Sequence, residues 1–133
     1  IIGAVSEHLT FEQDYQTALE IALGGSSQNI IVEDEAAAKR GIAFLRQNRS
    51  GRATFLPLTT IKPRQVAAHN LAKIEAAPGF LGLASDLVTY DAKLANIFQN
   101  LLGVTAIFDD IDHANQAARD VRYQVRMVTL DGT

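Results

Sequence analysis

The chain has no cysteine, so neither a disulfide scaffold nor a thiolate zinc site is open to it. No run of ~18 apolar residues occurs, which excludes a membrane-spanning helix. Charged residues make up 20% of the 133 positions, too few for a disordered tail, and the apolar 47% suffices for a core in one domain of ordinary size. There is no initiator methionine, and the chain reads as a piece of a longer protein. Acidic residues are missing from Ala36 to Ile74. That span carries Lys39, Arg40, Arg46, Arg49, Arg52, Lys62, Arg64 and Lys73, while all 15 acids lie outside it. Such a one-signed block creates a local field that a net charge of −3 conceals.

What is present is a repeat. Gly3 to Gly24 recurs as Gly82 to Gly103, with Gly3/Gly82, Ser6/Ser85, Thr10/Thr89, Leu23/Leu102 and Gly24/Gly103 identical. The apolar positions Phe11, Tyr15, Ala18, Leu19, Ala22 and Leu23 share their spacing with Tyr90, Leu94, Ile97, Phe98, Leu101 and Leu102. That is one buried helical face written twice. Thr10-Phe11-Glu12-Gln13 has the form of a capping box, predicting a helix from Phe11 to Leu23 that ends at Gly24.

Ile30-Ile31-Val32 predicts a short buried strand. A helix using Ala38, Gly41, Ile42 and Leu45 follows, then a strand over Arg52–Leu56 stopped by Pro57. In the second half Thr105–Phe108, a helix using Ala114, Ala117, Ala118 and Val121, and Arg126–Leu130 match these, the last pair at an offset of 74. The fold class expected is α+β: two pseudo-symmetric subdomains, each helix–strand–helix–strand with a mixed sheet. Residues 1–58 and 80–133 would be the subdomains, and 59–79 a joint holding one short helix.

Catalytic patterns are weak. Asp109-Asp110-Ile111-Asp112-His113 offers carboxylates to a hard cation, but the equivalent Glu33-Asp34-Glu35 also precedes a helix, so a helix start welcoming negative charge is the better reading. Gly24-Gly25-Ser26-Ser27 lies between a helix and a strand, the reverse of a phosphate loop. His8, His69 and His113 join no recognisable triad, and no nucleophile elbow surrounds a serine. No catalytic, cofactor or metal residue is assigned. Lys39, Arg40, Arg46, Arg49, Lys62 and Arg64 are candidates to neutralise nucleic-acid phosphates without reading sequence; the competing reading is a solvated face paired with acids from elsewhere.

Ala22-Leu23-Gly24, Ile30-Ile31-Val32-Glu33, Ala38-Lys39 and Gly51-Arg52-Ala53-Thr54-Phe55-Leu56-Pro57-Leu58 resemble the bacterial hinge domain of SMC (structural maintenance of chromosomes) proteins. Pro78 to Val88, Leu101-Leu102-Gly103 and Val128-Thr129-Leu130-Asp131-Gly132 agree in order, so the resemblance covers nearly the whole chain. It implies a hinge between antiparallel coiled-coil arms that joins two protomers in chromosome condensation and segregation. It also implies ATPase activity in a distant head domain and none here, no cofactor, non-specific DNA contact, accessory subunits for the full-length protein only, and a cytoplasmic, nucleoid-associated location. In the family, Leu130-Asp131-Gly132 is followed by a Gly-rich segment important to the dimer. The edge of Val128, Thr129, Leu130, Asp131 and Gly132 is therefore the expected dimer contact. The competing function is a two-lobed ligand-binding or enzymatic domain with its site between the halves.

Overall fold

The computed structural model describes residues 1–133. The first half runs β1 (Gly3–Ala4), α1 (Gln16–Leu23), β2 (Ile30–Val32), α2 (Glu35–Asn48) and β3 (Phe55–Pro57). The joint carries α3 (Ala68–Glu75). The second half runs β4 (Phe80–Leu83), α4 (Ala95–Leu102), β5 (Thr105–Phe108), α5 (Ile111–Asp120) and β6 (Arg126–Thr129).

The two sheets have the same design. In each, the middle strand pairs antiparallel with the first and parallel with the last: β1-β2-β3 and β4-β5-β6. The expected order of elements is therefore found twice, with a leading strand added to each half. One register is corrected. Ile31 faces Leu56 and Ile107 faces Val128, so Phe55–Pro57 corresponds to Met127–Thr129, two residues away from the match of Arg52–Leu56 with Arg126–Leu130. The intervening loops differ in length, which sequence similarity across a variable loop does not reveal. Pro57 closes β3 from within the strand instead of stopping it before; β3 is an edge, where a missing N–H breaks no ladder.

A second correction concerns the entry to the long helix. A 3-10 turn over Gln13–Tyr15 precedes α1, with Glu12 at its N-cap and no side-chain cap. Thr10 is engaged elsewhere. Its N–H donates to the Thr89 carbonyl at 2.9 Å, and the Thr89 N–H donates back to the Thr10 carbonyl at 2.7 Å. These are equivalent residues of the two copies, so the pseudo-twofold axis passes between them. Gly3 and Gly82, which open the copies, share the positive φ that favours glycine, 143° and 154°.

The predicted helical stripes are buried together. Ala18, Leu19, Leu23, Ile97, Phe98 and Leu102 belong to one core that spans both halves, into which Phe11, Tyr15, Tyr90 and Leu101 also pack. The Tyr90 ring stacks on Phe98 with centroids 4.6 Å apart. Leu19 and Phe98, equivalent in the repeat, are both fully buried.

Candidate functional site

The charged candidates sit on outer elements. Asp34 accepts the Ala37 N–H at 2.8 Å and so caps α2, and Arg49, at φ 51°, ends that helix. Lys39, Arg40, Arg46 and Arg49 are all exposed along it. Arg46 and Arg49, with Arg52 from the following loop, surround an open concavity of about 620 Å³ floored by Ile42, Leu45 and Ala53. None of these cations lies within ion-pair distance of a carboxylate; the ion pairs of the molecule are Ile1–Glu33 and those of His113 with Asp109 and Asp110. Arg40 is near enough to Glu33 to help hold that carboxyl below its usual value, after the larger effect of the Ile1 ammonium. Arg46 and Arg49 also complement the negative end of the α2 dipole, a local reason for basic residues there.

Lys62 and Arg64 lie apart from this cluster. The Lys62 carbonyl accepts the Asn100 side-chain amide at 2.9 Å, and the Arg64 N–H donates to the Gln99 carbonyl at 3.3 Å, so both ride on α4. Arg64 lines a separate concavity with Gln99 and Gly103. Arg52 was outside the candidate set although it lies in the same acid-free span. Its place after the glycine that follows α2 is the signal that could have included it. Not every cation is free: Arg126 donates to the carbonyls of Ala22 and Ile21 at 2.9 and 3.1 Å, tying β6 to α1.

At the end of the chain, Val128 and Thr129 are buried, Leu130 and Gly132 half-buried, and Asp131 exposed. As the last strand of its sheet, β6 offers a partner the backbone edge that β5 does not use. The turn beyond it is well tied. Asp131 Oδ1 accepts the hydroxyls of Thr129 and Thr133 at 2.6 and 2.7 Å and the Thr133 N–H at 3.1 Å. The Thr129 and Thr133 hydroxyls, aided by that N–H, lower the Asp131 carboxyl to about 2.

Asp109, Asp110 and His113 bring their ligand atoms within 4.8 Å of one another. Each has a partner within the chain. Asp110 accepts the His113 N–H at 2.8 Å as the N-cap of α5, and Asp109 Oδ1 lies 2.8 Å from His113 Nδ1. That bond holds the Asp109 carboxyl below its usual value and raises the imidazole above its own. Between the halves, where an interlobe site would stand, core side chains pack. An open hollow of about 350 Å³ beside Thr10 and Thr89 has Glu12 and Asp86 as its charged groups, both exposed.

A family model described as "SMC proteins Flexible Hinge Domain" matches residues 1–118. The chain belongs to the SMC hinge family. It is 45% identical over 132 residues to the chromosome partition protein Smc of Bacillus subtilis (strain 168), covering 99% of this chain and 11% of that protein. The Synechocystis chromosome partition protein Smc is 39% identical, with 99% and 10% covered. Among solved structures, an asymmetric dimer of the Geobacillus stearothermophilus SMC hinge domain matches at TM-score 0.95 and 43% identity, over 98% of this chain and 53% of that one. The Pyrococcus furiosus SMC hinge matches at TM-score 0.80 and 36% identity, over 98% and 64%. This hinge thus spans about a tenth of the curated relatives' length, and its two-half architecture is the one found in solved SMC hinges.

Proposed function

We propose that this chain is the hinge at which two protomers of a bacterial Smc protein join, and that its basic face contacts DNA through phosphates. The observation that carries the first part is the TM-score of 0.95 to a hinge described as a dimer. The free edge of β6 at Val128 and Thr129, with the following turn through Gly132, is the surface we assign to the contact; a twofold interface repeats each pairing reciprocally. The chain does no chemistry in this reading, ATP turnover belonging to another domain of the full-length protein. It works at the chromosome.

The DNA part rests on the cluster of Arg46, Arg49 and Arg52 around one concavity with no ion-paired acid. Contacts of this kind are independent of sequence and weaken steeply with salt. Titration of a hinge with short arms against two unrelated duplexes, at two salt concentrations, tests it. Reversing Arg46 and Arg49 to Glu weakens both duplexes alike and flattens the salt slope by about two phosphates' worth. Unchanged affinity and slope would move the DNA contact elsewhere.

A further inference from the structure

The joint builds a concavity that only the second half has, because α3 has no counterpart in the first. It lays α3 over α5, where Val66, Leu71 and Ile74 cover Ala114, Ala117 and Val121. At the rim of that apolar contact lies a polar concavity of about 250 Å³. His69, Asn70 and Lys73 of α3 line one side of it, and Asp120, Arg122 and Gln124 at the end of α5 line the other. Its walls are held by bonds within the chain. Asn70 is 4% exposed, and its Nδ2 donates to Gln124 Oε1 at 2.9 Å. Lys73 Nζ donates to the Asp120 carbonyl at 3.3 Å. After α5 the chain turns through two successive residues of positive φ, Arg122 at 54° and Tyr123 at 61°, a conformation disfavoured for residues with a Cβ. The N–H groups of Arg122, Tyr123 and Gln124 fix this turn by donating to the carbonyls of Arg119, Ala118 and Val121 at 3.0, 2.8 and 3.1 Å. Arg122 is thereby set on the concavity, and Tyr123, between two of its lining residues, is left 75% exposed.

The lining mixes cations with acceptors. Lys73 and Arg122 bring positive charge, and neither is ion-paired with a carboxylate. Asn70 Oδ1 has no donor within the chain, and it is not sealed from the concavity. One oxygen of the Asp120 carboxylate accepts the Gln116 amide at 3.0 Å, and the other is open. This combination discriminates between anions. A phosphodiester backbone carries acceptors only, so it would leave Asn70 unsatisfied and be repelled by Asp120. A peptide offers a side-chain carboxylate to the cations and, one bond away along its backbone, an N–H to the acceptors. The concavity of Arg46, Arg49 and Arg52, which no acid lines, has the opposite character.

We propose that the concavity between α3 and the end of α5 is a docking site for an acidic segment of a partner protein. A Glu or Asp side chain of that segment enters between Lys73 and Arg122, and a neighbouring backbone N–H donates to Asn70 Oδ1. Tyr123 at the rim covers the apolar atoms of the segment, as exposed Tyr and Arg side chains do where they anchor interfaces. The proposal rests on neither the DNA contact nor the dimer edge.

NMR titration of this chain tests it, with four probes: acetyl-Gly-Glu-Gly-amide, its Gln analogue, inorganic phosphate and a short DNA duplex. The acidic peptide is expected to shift the amides of His69, Asn70, Lys73 and Arg122 to Gln124, saturating at roughly 1–10 mM. The Gln analogue is expected to bind about tenfold more weakly, the loss of one charge-assisted contact. Arg122→Gln and Lys73→Gln, on different elements, should each weaken the acidic peptide by about fivefold or more. Lys93→Gln removes an exposed charge outside this lining and should change its affinity by less than about twofold. Four results would each overturn the proposal: no saturation by the acidic peptide, equal binding of the two peptides, a loss in Lys93→Gln equal to that in Arg122→Gln, or phosphate reproducing the shifts at the same concentration. So would a duplex that moves these amides as strongly as those around Arg49, since the concavity would then be one more phosphate contact.

Discussion

The two halves are copies in order, sheet pairing and central helix, yet their outer helices live in different surroundings. Helix α5 buries Ala114 and Ala117 beneath α3, within a cluster that includes Ile74, Val121 and Val125. Helix α2 buries only Ala37 and Ala38, with Val32 beside them, and leaves Ile42 and Phe44 exposed. The difference arises from the joint, which has only one half to cover. Duplication therefore fixes the shared core around the axis, while the connection decides which face remains open for other chain segments or partners. The open half is also the one in which Arg46, Arg49 and Arg52 gather around one concavity.

The comparison is broken most forcefully at the axis. Leu19→Ala and Phe98→Ala remove equivalent, fully buried side chains, and each is expected to cost ~2–5 kcal/mol in urea unfolding. A surface-like loss below ~0.5 kcal/mol at either would mean the halves are not equivalent. The next effect separates them. Gly103→Ala pushes a methyl into the Arg64 backbone and is expected to cost ~1–3 kcal/mol as overpacking. Gly24→Ala meets no neighbour, leaving about 1 kcal/mol from its positive φ, 54°. Thermal melts of this chain should rank the pair in that order, and equal losses would remove the asymmetry.

The caps sharpen the likeness again. Asp34→Ala and Asp110→Ala each remove an N-cap bond of 2.8 Å, and each should cost ~1 kcal/mol, additively in the double variant because the sites are in different halves. A cap that costs nothing in one half would show that its helix start is held by other contacts. The smallest effect is confined to the second half, because Ala37 stands where α5 has His113. The imidazole is raised by its bond to Asp109, so its contribution is full below the ordinary histidine value of 6.5 and is lost as pH rises through the raised value. Asp109 is depressed, so at the acid end the same contact is lost only as pH falls below the ordinary 3.8 through the lowered value. Proton NMR titration should find His113 titrating above 6.5 in the native chain and moving down in Asp109→Asn. No change on that substitution would dissolve the pair.

Much of this was legible in the residues. Helical spacing located the shared core, and Ile30–Val32 was read at its true bounds, because apolar periodicity reports burial directly. Thr10 misled because a capping pattern is local, whereas its backbone is claimed by Thr89, the equivalent residue of the other copy. Pro57 misled because its effect depends on whether the strand is an edge, which is a property of the sheet. The charged span was visible as an absence of acids, but its division into an α2 cluster and a pair riding on α4 follows from the joint's path. The exposure of α2 was hidden for the same reason: Ile42 and Leu45 have the spacing of a buried stripe, yet Ile42 is exposed and Leu45 only half-buried.

The central claim is that this architecture joins two protomers. Sedimentation equilibrium on the hinge extended through the residues that follow Thr133 tests it most directly, across roughly 1–100 μM, a range that brackets dissociation constants corresponding to about −8 to −5 kcal/mol. The mass of a dimer is expected over that range, with the concentration dependence of one reversible interface. A single species with the mass of one chain at the highest concentration would contradict it.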